Sequence, residues 1–259
     1  MTNETDLRLP MRRQTLSRSA EGWRCWQTES TTVQWPAQTT ALVLCDVWDR
    51  HTCPAAERRL ELLLPRMQAV VTALRARGTL VVHAPSDTMA FYAGSPARQR
   101  VLTSPAVDPP PAREHDDPPL PIDATNGGCD ADNQRPGPPW PWTREHPAIV
   151  IDEAADAVSD NGRELYALYR QRGIEQVLIM GVHTNMCVLN RSFAIKQLVR
   201  WGLDVALIRD LTDTMYDPAC PPYVSHEEGT RLVVEYIEKF WCPTVTSGDV
   251  VEEGGPGLR

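Results

Sequence analysis

Asp46 and Cys187 lie far apart in the chain, yet each closes an apolar run: Asp46 in LVLCDVWDRH, Cys187 five residues past QVLIMGV in MGVHTNMCVLNRSF. A cysteine where a strand gives way to a helix meets unpaired N–H groups and the positive end of the helix dipole, both of which favour thiolate over thiol. The same turn can aim backbone N–H groups at a developing oxyanion. A neighbouring carboxylate can take the thiol proton, which makes a Cys–Asp pair for attack on an electrophilic carbon. On residue types alone, a solitary cysteine is more often a small buried hydrophobe than a nucleophile.

The elements that must position the pair are legible in the apolar pattern. TALVLCDV, GTLVVHA (78–84), AIVID (148–152), QVLIMGV (176–182) and LDVALIRD (203–210) are short runs of the kind buried parallel strands use. Helical patterns alternate with them over 55–77, 162–172, 188–201 and 228–241. The first three end near Gly78, Gly173 and Gly202. Alternation of this kind predicts an α/β fold of three layers, a mainly parallel sheet covered by helices on both faces. Such sheets bind ligands at the carboxyl ends of their strands, where Asp46 and Cys187 fall.

The expected organisation is an N-terminal arm over 1–38, with Trp23, Trp26 and Trp35 free to dock, a single domain over 39–247, and a flexible tail over 248–259. A long insertion at about 85–147 interrupts the domain and holds 14 of the 23 prolines. Its last part, 123–147, carries Trp140 and Trp142 and is expected to form a lid or subunit contact, with looser chain around 105–121.

Composition narrows the function classes. A formal charge of −8 with no basic stripe argues against nucleic acid as a partner and leaves small molecules. Seven scattered cysteines without a CxxC pair fit neither a disulfide framework nor a structural zinc site, and predict a reduced, cytoplasmic setting. No signal-peptide core and no membrane-spanning run is expected. Of 26 basic residues only Lys196 and Lys239 are lysines.

The stretch GVHTNMCVLNRSFAIKQLVRWGLDVALIRDLTD, together with ALVLCDVWDRH, resembles the isochorismatase-like cysteine hydrolases, the superfamily of nicotinamidases, N-carbamoylsarcosine amidases, biuret hydrolases and ureidoacrylate amidohydrolases. The resemblance covers roughly 39–84 and 148–215. It implies Cys187 as nucleophile, Asp46 as general base, a cis Val182–His183 peptide, and an oxyanion hole made by the amides of His183 and Cys187. It further implies hydrolysis of a small amide, urea or similar C–N bond through a covalent cysteine intermediate, no organic cofactor, and a homodimer or homotetramer.

One departure stands out. The family's third catalytic residue is a lysine just after the third strand, where this sequence reads HPAIVIDEAADAVSDNG. Asp152 or Glu153 occupies the nearest position, and Lys196 and Lys239 lie elsewhere. Three alternatives stay open: a cation such as Arg144, Arg191 or His146 substitutes; carboxylates there adapt the pocket to a cationic, guanidine-like substrate; or the chain is a non-catalytic binding protein. Trp48, His51, His83, Asp87, Trp142, Arg191 and Tyr216 are the candidate pocket residues. His51, His83 and Asp87 form an alternative divalent-metal set for a metal-dependent hydrolase, although the Asp-x-His spacing of nicotinamidases is broken by Met89.

Overall fold

A computed structural model describes residues 6–251. In chain order the elements are β1 (Leu7–Arg18), β2 (Arg24–Trp35), β3 (Thr40–Cys45), α1 (Pro54–Ala76), β4 (Leu80–Ala84), α2 (Pro96–Leu102) and β5 (Ala157–Val158). They continue with α3 (Gly162–Arg172), β6 (Gln176–Val182), α4 (Cys187–Asn190), α5 (Ile195–Arg200), β7 (Asp204–Asp213), α6 (His226–Phe240), β8 (Thr244–Val245) and α7 (Ser247–Val251). One eight-stranded sheet runs in the order β2-β1-β8-β7-β6-β3-β4-β5, parallel from β8 to β5 and antiparallel at β1 and β2. Among the described residues no helix is long and apolar enough to cross a membrane.

The three layers follow from the strand period of two. In β3, Ala41, Val43 and Cys45 face one core with Leu165, Leu168 and Ile237, while Leu42 and Leu44 face the other with Leu60, Leu64 and Met67 of α1. Strand order reverses where β3 sits between β6 and β4, so Asp46 and the chain leaving β6 emerge side by side at the switch point. Gly181 makes that closeness feasible. Its φ is 125°, and a Cβ there would lie 2.0 Å from the Cys45 carbonyl oxygen. Gly181→Ala is expected to lower stability by about 3 kcal/mol, a size typical of severe overpacking, read as a drop in the urea midpoint.

Several expectations are corrected. Within the segment expected as an arm, 1–5 lie outside the described residues and 7–35 form a β-hairpin that extends the sheet: Leu7, Leu9 and Met11 point inward in period two, and Arg12 pairs with Thr244 of β8. Trp35 is buried, Trp26 packs edge-on against Phe240, and Trp23 is exposed. The third parallel strand is Ala157–Val158 rather than 148–152, where Ile149 drops into the core, Val150 is exposed, and the Val150 carbonyl accepts from Arg75. The expected helix over 188–201 is broken into α4 and α5.

The insertion is also better held than expected around 105–121. The Arg113 amide donates to the Arg200 carbonyl, His115 stacks on Trp241, and Asp117 takes Lys196, Arg200 and the Tyr236 hydroxyl. Of the expected tail, residues up to 251 form α7, and 252–259 lie outside the described residues. Cys53 and Cys129, expected to be unpaired, form a disulfide joining the start of α1 to the insertion.

Candidate active site

Asp46 leaves β3 with φ 51°, a left-handed backbone that Asp tolerates better than most residues. Its carboxylate is wholly buried. One oxygen accepts from the Ser86 amide at 2.8 Å and the other from Arg191 Nε at 2.9 Å. Burial raises its pKa from the ordinary carboxylate value, and Arg191 and the Cys187 thiol pull it back.

The Cys187 thiol lies beside this carboxylate, and both the carboxylate and the His183 amide act on its ionisation. The turn that carries it is fixed from outside: the Thr184 amide donates to Asp213, and Asn185 pairs with both backbone groups of Met215 at 2.9 and 3.0 Å. The Val182–His183 peptide is cis. Burial, and then the Asp46 charge, push the Cys187 pKa up to about 12, with Arg191 opposing. The thiolate-favouring helix end expected from the sequence is therefore outweighed. α4 is four residues long, too short for a large dipole, and the thiol sits beside a buried anion. At rest Cys187 is a protonated thiol beside the Asp46 carboxylate.

The cation beside the pair is Arg191. It lies one helical turn after the nucleophile, its amide bonded to the Cys187 carbonyl, so the helix brings its side chain back to Asp46. Its other end approaches Asp87 at 3.6 Å, and Asp87 has a left-handed backbone like Asp46 (φ 65°). The other candidates for the lysine's place are elsewhere. Glu153 caps α2 through the Ser95 hydroxyl and the Ala97 amide, and Asp152 accepts from the Ala154 amide. Arg144 lies over the Phe91 ring, and His146 accepts from the Ala148 amide and lines a cavity beside α1 that also reaches Asp46, Trp48, His51 and His183, without an ion pair to Asp46. The misplaced third strand explains the error, because residues 152 and 153 do not end a strand.

Over the thiol opens a cleft of about 460 Å³, walled by Trp48, His51, Trp142, Met186 and Arg191 among others. Trp140, Trp142 and Trp48 form a continuous stack, with ring centroids 5.0 and 4.3 Å apart, so the expected lid segment lies over the site. His183 contacts His51 edge-on at 4.8 Å, and burial pushes their pKa values down to about 3 and about 4, leaving both imidazoles neutral.

Two predicted pocket residues are not in the pocket. Tyr216 is core: its ring packs against Gly229 and its hydroxyl donates to the Cys220 carbonyl. His83 is buried between Glu145 at 2.6 Å and Asp156 at 3.1 Å, with Arg75 on Asp156. Burial works against the imidazolium, but the two carboxylates outweigh it and push the His83 pKa up to about 9. A histidine raised above its unfolded value adds stability below about pH 6.5 that is lost as pH rises through about 9. Thermal unfolding from pH 6 to 10 is expected to show that loss, and His83→Gln to flatten it.

His51, His83 and Asp87 do not converge either, and no group of three His, Cys, Asp or Glu side chains among the described residues is placed to hold a metal. The residues do not fit the metal alternative. Sequence reasoning missed the ion network behind His183, in which Arg59 joins Asp130 and Asp213, and Asp213 joins His226. Asp213 belongs to the DLTD stretch quoted for the resemblance, but its partners come from distant segments.

No protein-family model matches the chain, and no curated protein matches it. Solved structures do. A cysteine hydrolase from Pseudomonas syringae pv. phaseolicola 1448A is 16% identical, with 85% of this chain and 95% of that one covered at a TM-score of 0.53. An isochorismatase from Pseudomonas putida KT2440 is 9% identical, with 83% and 91% covered at a TM-score of 0.51. The fold is a three-layer α/β architecture with its site at the strand ends. More specifically, it is the isochorismatase-like fold.

Proposed function

We propose that the protein is a hydrolase that cleaves a small amide or urea C–N bond through a covalent Cys187 intermediate. The observation that carries this reading is the Cys187–Asp46–Arg191 cluster, with Cys187 and Arg191 lining the cleft and Asp46 buried beside them. Asp46 takes the thiol proton as sulfur attacks the carbonyl carbon, so ionisation accompanies attack and a preformed thiolate is not required. The amides of His183 and Cys187 receive the oxyanion. Asp46 returns the proton to the departing amine, then takes a proton from the water that cleaves the thioester (from an amide) or thiocarbamate (from a urea) and passes it to the leaving Cys187 sulfur.

The ground for favouring a guanidine-like substrate disappears with Asp152 and Glu153 held away from the cleft. A small-molecule substrate and a homo-oligomeric state belong to the same proposal. The test is ammonia or amine release from a panel of amides and ureas. Cys187→Ala is expected to abolish any turnover found, and turnover that survives this substitution refutes the covalent scheme.

A further inference from the structure

His51 lies outside the Cys–Asp–Arg cluster, yet both its backbone and its ring are held in the cleft wall. Its backbone amide donates to Glu57 at 2.7 Å, and its carbonyl accepts from Arg135 at 3.1 Å. The ring lies nearly parallel to Trp48 and Trp142, tilted 20° and 14° from them, and meets His183 edge-on. Turning the ring would break all three contacts.

The ring's protonation follows from one hydrogen bond. Nδ1 accepts from the Cys53 amide at 3.0 Å, at the residue that the disulfide fixes. A ring nitrogen that accepts carries no proton, so the neutral imidazole bears its hydrogen on Nε2. Burial keeps the ring neutral at physiological pH. No acceptor among the described residues meets Nε2–H, while His51 lines the same cleft as Cys187 and Arg191. The cleft thus offers a ligand a fixed neutral donor and, from Arg191, a cationic one.

We propose that His51 Nε2–H is the substrate-recognition donor of this cleft, and that the substrate carries an uncharged or anionic acceptor, a carbonyl oxygen or a ring nitrogen, on the group that enters the cleft beside Cys187. The proposal rests on Cys187 being the nucleophile. It excludes substrates that present only an ammonium or guanidinium group at that position, because a donor would face a donor.

The test uses two flat benzylic electrophiles that differ by one acceptor atom, 3-(bromomethyl)pyridine and benzyl bromide. Cys187 labelling is followed by peptide mass spectrometry, and each rate is normalised to that of glutathione. The native protein is expected to favour the pyridine about three- to tenfold, the range of one net hydrogen bond. Two variants separate recognition from structure. His51→Asn keeps an acceptor for the Cys53 amide but has nothing at the Nε2 position, and should lose the preference. His51→Gln places a carboxamide nitrogen there and should retain most of it. The reverse pattern, or no preference in the native protein while Cys187 is labelled, overturns the recognition role alone. Failure of both reagents to label Cys187 in the native protein and also in Asp46→Asn, where the restraining charge is gone, while Cys25 and Cys220 react, overturns the nucleophile reading and this proposal with it.

Discussion

Asp46→Asn is expected to abolish turnover and, in the same protein, to make Cys187 easier to alkylate. The two effects point in opposite directions because Asp46 acts on the thiol in two ways. As a base it takes the proton during attack, and its loss should lower kcat by about 10³-fold, within the usual range for general-base catalysis. As a buried anion it holds the thiol protonated, being the largest cause of the raised pKa after burial itself. An asparagine has no charge, while Arg191 remains to favour the thiolate. The profile of alkylation rate against pH should therefore shift toward lower pH in the variant. If Asp46 instead kept the thiol ionised at rest, the shift would run toward higher pH.

The second large effect is expected at Arg191. In Arg191→Leu the wholly buried Asp46 carboxylate loses its counter-ion. Its pKa, already raised by burial, must rise further, so the base becomes protonated and inactive near neutral pH. Loss of a buried ion-pair partner costs about 3–5 kcal/mol, and about 2–3 kcal/mol is expected here because the guanidinium is one-third exposed and screened by solvent. The sign with pH follows from linkage: a carboxyl raised above its unfolded value costs stability above that value, and the cost grows until pH passes the folded pKa. The variant should therefore be closer to wild-type stability at pH 5 than at pH 8 in urea unfolding, with kcat reduced by about 10²-fold or more. Arg191→Lys keeps a charge beside Asp46 and should restore most of the stability. If Leu and Lys behave alike, the guanidinium is not the counter-ion of the base.

The parts of this site legible in the sequence are those written locally. Asp46 follows an apolar strand, Cys187 follows another, and Arg191 stands one turn beyond Cys187 in the same stretch. What was not legible depends on pairings between distant segments. The Cys53–Cys129 bridge spans 76 positions, and nothing in the spacing selects those two among seven cysteines. β5 is a two-residue edge strand, too short to announce itself, and the more apolar AIVID drew the third strand to the wrong place and the candidate lysine replacements with it. The hairpin was readable in principle from the alternation of Leu7, Leu9 and Met11, but its outward face is polar and reads as an arm. The high Cys187 pKa was invisible because it depends on burial and on an anion from another strand.

The most direct test of the central claim is an acid quench during steady turnover of an amide or urea found in the panel, followed by peptide mass spectrometry. The scheme predicts that the peptide containing Cys187 gains the mass of the substrate's acyl group, that the adduct disappears when substrate is exhausted, and that Cys187→Ala forms none. Undiminished turnover in Cys187→Ala, with no adduct on the wild-type peptide at any quench time, would contradict it.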